Sequence, residues 1–279
     1  VARTGGNGAT RRVNHTLYYI TTDGYRYSQR LNNLDPNEYS MYANRSGFLD
    51  AGNPIYKDVR GVDGRVTVLN PNLGSGVTAQ APEYPVFISD VSDAGPNDAQ
   101  VELVLAALGI PNTPPVPGLN SVSFVGNVSG STTSLGAGGT FTFSTVNTLT
   151  YQVVVSRDGV NFDPANTLNK VLTGVALTGT HNVIWNGLDN AGNVFPVGNG
   201  YRYRVEGRNG EIHFPLVDTE GMTFGGPTVV KLNGATPGDA TVYYDDRGYR
   251  TSNNALVGDL NGNLCGLGNA QIPPAPDQG

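Results

Sequence analysis

The stretch that decides the fold reads HNVIWNGLDNAGNVFPVGNGYRYRVE and spans residues 181–206. Polar and apolar residues alternate at both ends, over residues 181–185 and 201–206, while residues 186–200 are rich in Gly, Asn and Pro. Alternation with a period of two on both sides of a turn-rich segment is typical of antiparallel strands that each bury one face. The sequence therefore predicts the closing hairpin of a β-sandwich here, and weaker copies of the pattern recur along the chain.

The composition favours an all-β protein with many turns. The 279 residues include 38 Gly and 18 Pro, and Tyr (14) outnumbers Phe (9). Val, Thr and Tyr favour strands, whereas Gly, Pro, Asn and Ser favour turns. Only residues 100–108, QVELVLAAL, have clear helix propensity, and a strand followed by a turn fits them equally well. A chain of this length can form two domains, each with its own core.

A cluster of prolines marks the expected boundary between two domains. Residues 110–118 read IPNTPPVPG, which favours a semi-rigid, extended linker. We therefore predict a β-rich N-terminal domain over residues 1–117, in which the Gly- and Arg-rich residues 1–12 form a flexible arm. The second domain is predicted over residues 118–279, as a β-sandwich with a C-terminal extension and a Pro-rich tail.

The sequence does not decide which domain the C-terminal extension joins. The strand-like residues 211–217, 228–232 and 241–244 either complete the sheet of the second domain or return to the first domain. The tail, QIPPAPDQG, is similar to the start of a linker. We therefore expect the chain to be a segment of a larger polypeptide or a mature secreted subunit.

The net charge, the hydropathy and the single cysteine exclude some classes of function. The net charge of −6 and the lack of a basic face argue against nucleic-acid binding. No run of about 18 apolar residues is present, so no membrane span is expected. Because Cys265 is the only cysteine, no disulfide can form within the chain, which favours a bacterial or archaeal surface protein.

The charge is also distributed unevenly along the chain. Residues 1–65 contain nine Lys or Arg and six acidic residues, whereas residues 66–117 contain five acidic residues and no Lys or Arg. Such an asymmetry fits head-to-tail docking of neighbouring subunits, and a mixed solvated surface explains it as well.

Two loops have oxygen donors at the density of a calcium site. In the first, DVSDAGPND, the candidate ligands are Asp90, Asp93, Asn97 and Asp98. In the second, DLNGNLC, the candidates are Asp259, Asn261 and Asn263, which alternate as in the first half of an EF-hand loop. The twelfth position of that loop is Ala270 instead of the bidentate Glu. In both loops, turns stabilised by Asn, Asp and Gly are the alternative interpretation.

The sequence contains no motif for catalysis. HExxH, CxxC, G-x-S-x-G and the P-loop are all absent, and we predict that the protein is not an enzyme. Trp185, the only tryptophan, is predicted to anchor a core and not to stack on a sugar. Three N-x-[ST] sequons are candidate glycosylation sites if they are exposed, at Asn14, Asn44 and Asn127.

Residues 138–207 resemble the immunoglobulin-like (Ig-like) module first named from the flagellar hook-capping protein, a repeat common in bacterial secreted and surface proteins. The residues that match are Gly179, His181, Val183, Trp185, Gly187, Asp189, Gly192, Pro196, Gly198, Tyr201, Tyr203 and Val205. The chain departs from the module by one extra residue within 195–200 and by continuing past its usual end. The resemblance implies an Ig-like β-sandwich with a structural or assembly role, and it transfers no catalytic residues.

We therefore expect two Ig-like or β-sandwich domains in a non-catalytic structural protein, located outside the cell or at its surface. It would be a subunit or segment of a bacterial surface filament, adhesin or surface layer. Its partners would be other copies or a larger surface polypeptide, joined through strand edges and termini. The alternative is a module that binds carbohydrate or a cell surface, with calcium as its one conceivable cofactor. Its aromatic platform would come from Tyr18, Tyr25, Tyr27, Tyr243, Tyr244 and Tyr249.

Overall fold

The computed structural model describes residues 13–34, 42–56, 76–93, 95–164, 166–215, 227–243 and 249–257. Within these ranges nearly all regular structure is antiparallel β-sheet, and the all-β class is confirmed. The strands are β1 (Val13–Ile20), β2 (Arg26–Leu34), β3 (Phe48–Asp50), β4 (Asn53–Pro54), β5 (Val77–Ala79), β6 (Val86–Phe87), β7 (Leu119–Gly126), β8 (Gly139–Thr145), β9 (Leu149–Ser156), β10 (Lys170–Ala176), β11 (Gly179–Trp185), β12 (Arg202–Arg208), β13 (Thr228–Lys231), β14 (Tyr249–Arg250) and β15 (Leu256–Val257). The helix is α1 (Asp98–Leu108).

The chain forms two compact units that differ from the predicted domains. Unit 1 contains residues 1–114 and 210–279, and unit 2 contains residues 115–209, so unit 2 is an insertion in the sequence of unit 1. The predicted second domain, residues 118–279, therefore does not match this division. The reason is that β13 pairs with β2, which brings the extension back to the first sheet. The sequence left open whether the extension completes the second domain's sheet or returns to the first domain. The structure shows that it returns to the first domain.

In unit 1 the largest sheet has the strand order β13-β2-β1-β6. Strands β1 and β2 form a hairpin around the Asp23-Gly24 dipeptide, where Gly24 adopts a φ of +87°. Helix α1 packs on this sheet through Val101 and Leu105, which are buried in a cluster with Ile20. A three-stranded sheet, β4-β3-β5, and the β14-β15 pair complete the described β-structure of this unit.

Unit 2 consists of two three-stranded antiparallel sheets, with the orders β10-β9-β12 and β11-β8-β7. Alternate side chains of both sheets meet in a shared interior, for example Phe141 of β8, Val153 of β9 and Trp185 of β11. A second cluster includes Phe143 of β8 and Leu149 of β9. This arrangement is sandwich-like, because each sheet buries one face against the other.

Candidate functional site: the open edge of strand β12

The stretch at residues 181–206 contains two strands, but they do not pair with each other. Strand β11 pairs with β8 along its whole length, whereas β12 pairs with β9. The predicted hairpin is therefore corrected to a connection between the two sheets. The physical reason is that residues 186–201 are long enough to cross from one sheet to the other while each strand buries its own apolar face.

A buried aspartate holds this connection in place. Asp189 is buried, and its Oδ2 lies 2.9 Å from Arg157 Nη2. Its Oδ1 accepts a hydrogen bond of 2.8 Å from the backbone N–H of Asn193. The Trp185 Nε1–H donates to the carbonyl of Leu188 at 2.9 Å. Both carboxylate oxygens of Asp189 are therefore bound by groups of the protein, which indicates a structural role for this residue.

Aromatic rings fill the space beneath the same connection. Phe195 packs edge-on against Trp185 at 4.9 Å and against Tyr201 at 5.5 Å between ring centroids. The Arg157 guanidinium lies 5.0 Å from the centre of the Phe195 ring. Trp185 is buried, as predicted for a core anchor, so its faces are not accessible to a sugar.

The outer edge of β12 is open in the part of the chain that the structure describes. Every residue of β12 has a partner on β9, from Arg202 opposite Ser156 to Arg208 opposite Thr150. On its other side no described strand pairs with it, because β12 is the last strand of its sheet. An unpaired row of backbone N–H and C=O groups is a template to which another extended segment can add.

The two faces of β12 differ in character. On the inward face, the Tyr203 ring packs 5.0 Å from Phe141 and 6.2 Å from Phe124. The outward face is charged, since Glu206 forms ion pairs of 3.0 Å with Arg204 and 3.2 Å with Arg208. The outward residues are Arg202, Arg204, Glu206 and Arg208. Unit 2 contains five Lys or Arg, and three of them belong to this strip.

Apolar side chains near this edge are incompletely covered. Tyr203 is 37% exposed, and Val205 and Phe124 are half-buried, whereas Phe141 and Val153 in the middle of the sandwich are buried. Phe124 belongs to β7, the edge strand of the opposite sheet, so the partly covered residues lie where the two sheets meet at their open side. A strand added beside β12 would cover them.

The carboxylates of the first predicted calcium loop bind other groups of the protein. Arg26 is fully buried, and its Nη1 lies 2.9 Å from Asp93 and 3.3 Å from Asp98. Asp90 Oδ1 instead accepts hydrogen bonds from the N–H and Oγ–H of Ser92, at 2.9 Å and 2.8 Å. Asn97 donates to the carbonyl of Asp90 at 3.1 Å. The loop therefore compensates a buried cation, which would otherwise be costly.

The second predicted calcium loop is not tested by the structure. The second loop, with Asp259, Asn261 and Asn263, lies outside the described residues, as does Cys265. Among the residues that are described, no three His, Cys, Asp or Glu side chains form a group that could hold a metal ion.

The three sequons differ in their surroundings. Asn44 is buried, its Nδ2 donates to Gln80 O at 2.8 Å and its Oδ1 accepts from Gly47 N–H at 2.6 Å. A glycan on that nitrogen would have no room, so the expectation for Asn44 is corrected. Asn14 and Asn127 are exposed. Sequence alone does not show that Asn44 is buried, because its partner Gln80 is distant in the chain.

The candidate tyrosine platform is not assembled in the described part of unit 1. Tyr27 is half-buried and its hydroxyl donates to Gly210 O at 2.6 Å, while burial raises the pKa of this phenol well above its usual range. Tyr25 packs against Gly210 and Gly234. Tyr243 is 94% exposed. The side chains of Tyr244 and Tyr249 lie outside the description.

Comparisons with known proteins do not assign a family. No helix in the described ranges combines the length and apolar character needed to cross a membrane. No protein-family model, curated protein or solved structure matches this chain.

Proposed function

We propose that this chain is a non-catalytic structural subunit of an extracellular bacterial assembly, such as a surface filament, adhesin or surface layer. Copies would join by adding an extended segment of one chain to a sheet edge of the next. The observation that supports this proposal is the open edge of β12, which runs the whole length of the strand beside incompletely covered apolar residues.

The strand order supports an Ig-like module as unit 2. In Ig-like sandwiches strands A, B, E and D form one sheet and C, F and G form the other, to which variable-type domains add C′. Strands β7, β8 and β11 correspond to A, B and E, and β10, β9 and β12 correspond to C′, C and F. No described strand corresponds to D, whose place is beside β11, or to G, whose place is beside β12. Because the main sheet of unit 1 has a different order, the Ig-like assignment is proposed for unit 2 alone.

The path of the chain after unit 2 accounts for the missing strand G. Gly210, the first residue after unit 2, donates its N–H to Asp23 Oδ2 at 2.8 Å. Its carbonyl accepts the hydroxyl of Tyr27 at 2.6 Å. Farther on, β13 pairs with β2. The described residues that directly follow unit 2, such as Ile212 and Phe214, therefore pack against Tyr19 of unit 1, and no described segment pairs with the outer edge of β12.

The test is the assembly state of the purified chain, followed by electron microscopy and sedimentation velocity over a range of concentrations. We expect linear assemblies from the wild type. Tyr203→Lys places a charge on the inward side of β12, which natural sheets use to prevent strand addition. This variant should remain monomeric where the wild type assembles.

The matched control is Leu172→Lys on β10, the other edge of the same sheet, where Leu172 also packs partly buried against the core. Circular dichroism establishes that both variants are folded. Assembly of both variants at the wild-type concentration would exclude strand addition at β12. A wild-type chain that stays monomeric at every concentration would contradict the assembly function itself.

A further inference from the structure

We propose that the open edge of β12 binds residues 239–243 of a second copy of this chain, an inference that rests on the assembly function proposed above. The segment reads Asp-Ala-Thr-Val-Tyr and belongs to unit 1. Unit 1 of one copy would therefore supply a strand to unit 2 of the next copy.

The segment has the composition of a β-strand but pairs with no described strand. Thr, Val and Tyr are among the residues with the highest strand propensity. Nevertheless, residues 239–243 form no strand, and no described strand pairs with them. Val242 is 57% exposed and Tyr243 is 94% exposed. Pairing of this segment with another strand would cover apolar surface of both side chains.

The start of the segment is held by unit 1. The carbonyl of Asp239 accepts a hydrogen bond of 2.9 Å from the N–H of Lys231, the last residue of β13. The Asp239 carboxylate accepts another, also of 2.9 Å, from the N–H of Thr241. Since one end is already ordered, less conformational entropy is lost when the following residues pair with a neighbour.

The alternation of the segment matches the two faces of β12. In a strand, Asp239, Thr241 and Tyr243 would point to one side and Ala240 and Val242 to the other. With the apolar pair facing inward, Val242 would cover the exposed side of the sandwich beside Tyr203 and Val205. The other three residues would then lie beside the arginines of β12, which favours an ion pair with Asp239 and a cation–π contact with Tyr243.

The opposite net charges of the two units favour attraction of unit 1 of one copy to unit 2 of the next. Unit 1 has twelve basic and nineteen acidic residues, a net charge of −7, and unit 2 has five basic and four acidic residues, a net charge of +1. Donor and acceptor are different surfaces, so their contact is heterologous. Such contacts extend into open chains unless the rotation between copies closes a ring.

Disulfide trapping between separate chains tests this inference. In a Cys265→Ser background, one set of chains carries Thr241→Cys and a second set, with a larger tag, carries Arg204→Cys or Arg202→Cys to allow for the register. We expect the mixture to form a disulfide-linked heterodimer under mild oxidation. The matched control is Val171→Cys on β10, which lies in the same cross-strand row as Arg204 and Val154 but at the opposite edge.

A second variant does not depend on cysteine geometry. Val242→Asp places a charge where the inward face of the added strand would be, and we expect it to raise the critical concentration for assembly by about tenfold or more. Thr241→Ala should leave it within about threefold, because an outward hydroxyl contributes little.

The outcomes separate the two proposals. Assemblies that form without the heterodimer, and with a normal critical concentration for Val242→Asp, would overturn this inference and leave the proposed function intact. A cross-link that forms within doubly substituted chains but never between mixed chains would overturn it as well. Complete absence of assembly and of the heterodimer would overturn both.

Discussion

Arg157 and Asp189 form an ion pair of 2.9 Å in which the aspartate side chain is fully buried and 26% of the arginine side chain is exposed. Arg157 directly follows β9, and Asp189 lies in the connection that leads to β12. The pair thus joins the central strand of one sheet to the loop that delivers the edge strand. It also places the guanidinium over Phe195, 5.0 Å from the ring centre.

Asp189→Ala should lower the free energy of unfolding by about 3 kcal/mol, because it leaves a partly buried arginine without its partner and removes a cap from the Asn193 N–H. The control is Glu206→Gln, which removes the exposed pairs on β12 and should cost at most about 1 kcal/mol. Urea unfolding, followed by tryptophan fluorescence of Trp185, measures both. Equal effects of the two variants would show that burial does not decide the strength of the Asp189 pair.

Gly138→Ala should destabilise unit 2 more than Gly192→Ala. Both glycines have positive φ, +64° and +83°, so backbone strain should destabilise each alanine variant by about 1 kcal/mol. A Cβ on Gly138 would also lie 1.9 Å from the carbonyl oxygen of Trp185, whereas nothing lies within 4 Å of one on Gly192. In Gly138→Ala this steric overlap should destabilise the protein by about 2 kcal/mol more. Denaturant midpoints of the two variants give the comparison, and similar midpoints would contradict the close approach at Gly138.

Arg26→Met should destabilise unit 1 by about 1–3 kcal/mol, because the carbonyl of Val91 loses a buried hydrogen-bond donor. The carboxylates of Asp93 and Asp98, whose side chains are 54% and 33% exposed, are solvated instead. The control is Arg30→Met at an exposed position of the same strand, β2, with an expected change below about 0.5 kcal/mol. Thermal unfolding monitored by circular dichroism measures both changes.

The same ion pairs predict how the loop responds to calcium. Because Asp93 and Asp98 bind Arg26, about 5 mM Ca²⁺ should leave the melting temperature of the wild type unchanged, although extracellular calcium modules bind at lower concentrations. A calcium-dependent rise that disappears in Asp90→Asn would restore the calcium interpretation of this loop.

Unit 1 should lose stability in alkali. Burial raises the pKa of Tyr42 to about 12 from its ordinary value of 10.0. The folded state therefore retains a proton that the unfolded state releases, so this contribution is complete below pH 10 and is lost as the pH rises through 12. Unfolding free energies measured across this range should fall less steeply for Tyr42→Phe than for the wild type. Tyr243→Phe, at a position that is 94% exposed, is the control and should follow the wild type.

Assembly should weaken with salt if the arginines of β12 attract the acidic unit of a neighbour. Raising the ionic strength from about 0.05 to 0.5 M should slow elongation, because exposed charges are screened beyond a few ångströms at high salt. Arg202→Glu should slow elongation at low salt and reduce its salt dependence. Light scattering gives the rates, and a salt response that is unchanged in Arg202→Glu would remove β12 from the electrostatic contact.

Local patterns account for what was predicted correctly. The alternation at residues 181–185 and 201–206 identified both strands, because this signal depends only on neighbouring residues. The burial of Trp185 followed from its place on the apolar face of such a strand. These properties need no knowledge of the rest of the chain.

Contacts between distant residues account for what the sequence left undecided. Residues 100–108 form a helix because Val101 and Leu105 meet Ile20 on the sheet, although their pattern also fitted a strand. The predicted calcium loop proved to surround Arg26, which lies on β2 far from it in the chain.

The sequence by itself determined that this protein is built from antiparallel strands, since a period of two, dense turn residues and β-branched side chains act locally. Only the tertiary structure decided that β11 and β12 belong to opposite sheets, that β13 returns to β2, and that the edge of β12 has no described neighbour. Strand pairing is chosen by the burial of faces contributed from far along the chain, and no local pattern encodes which edge is left unpaired.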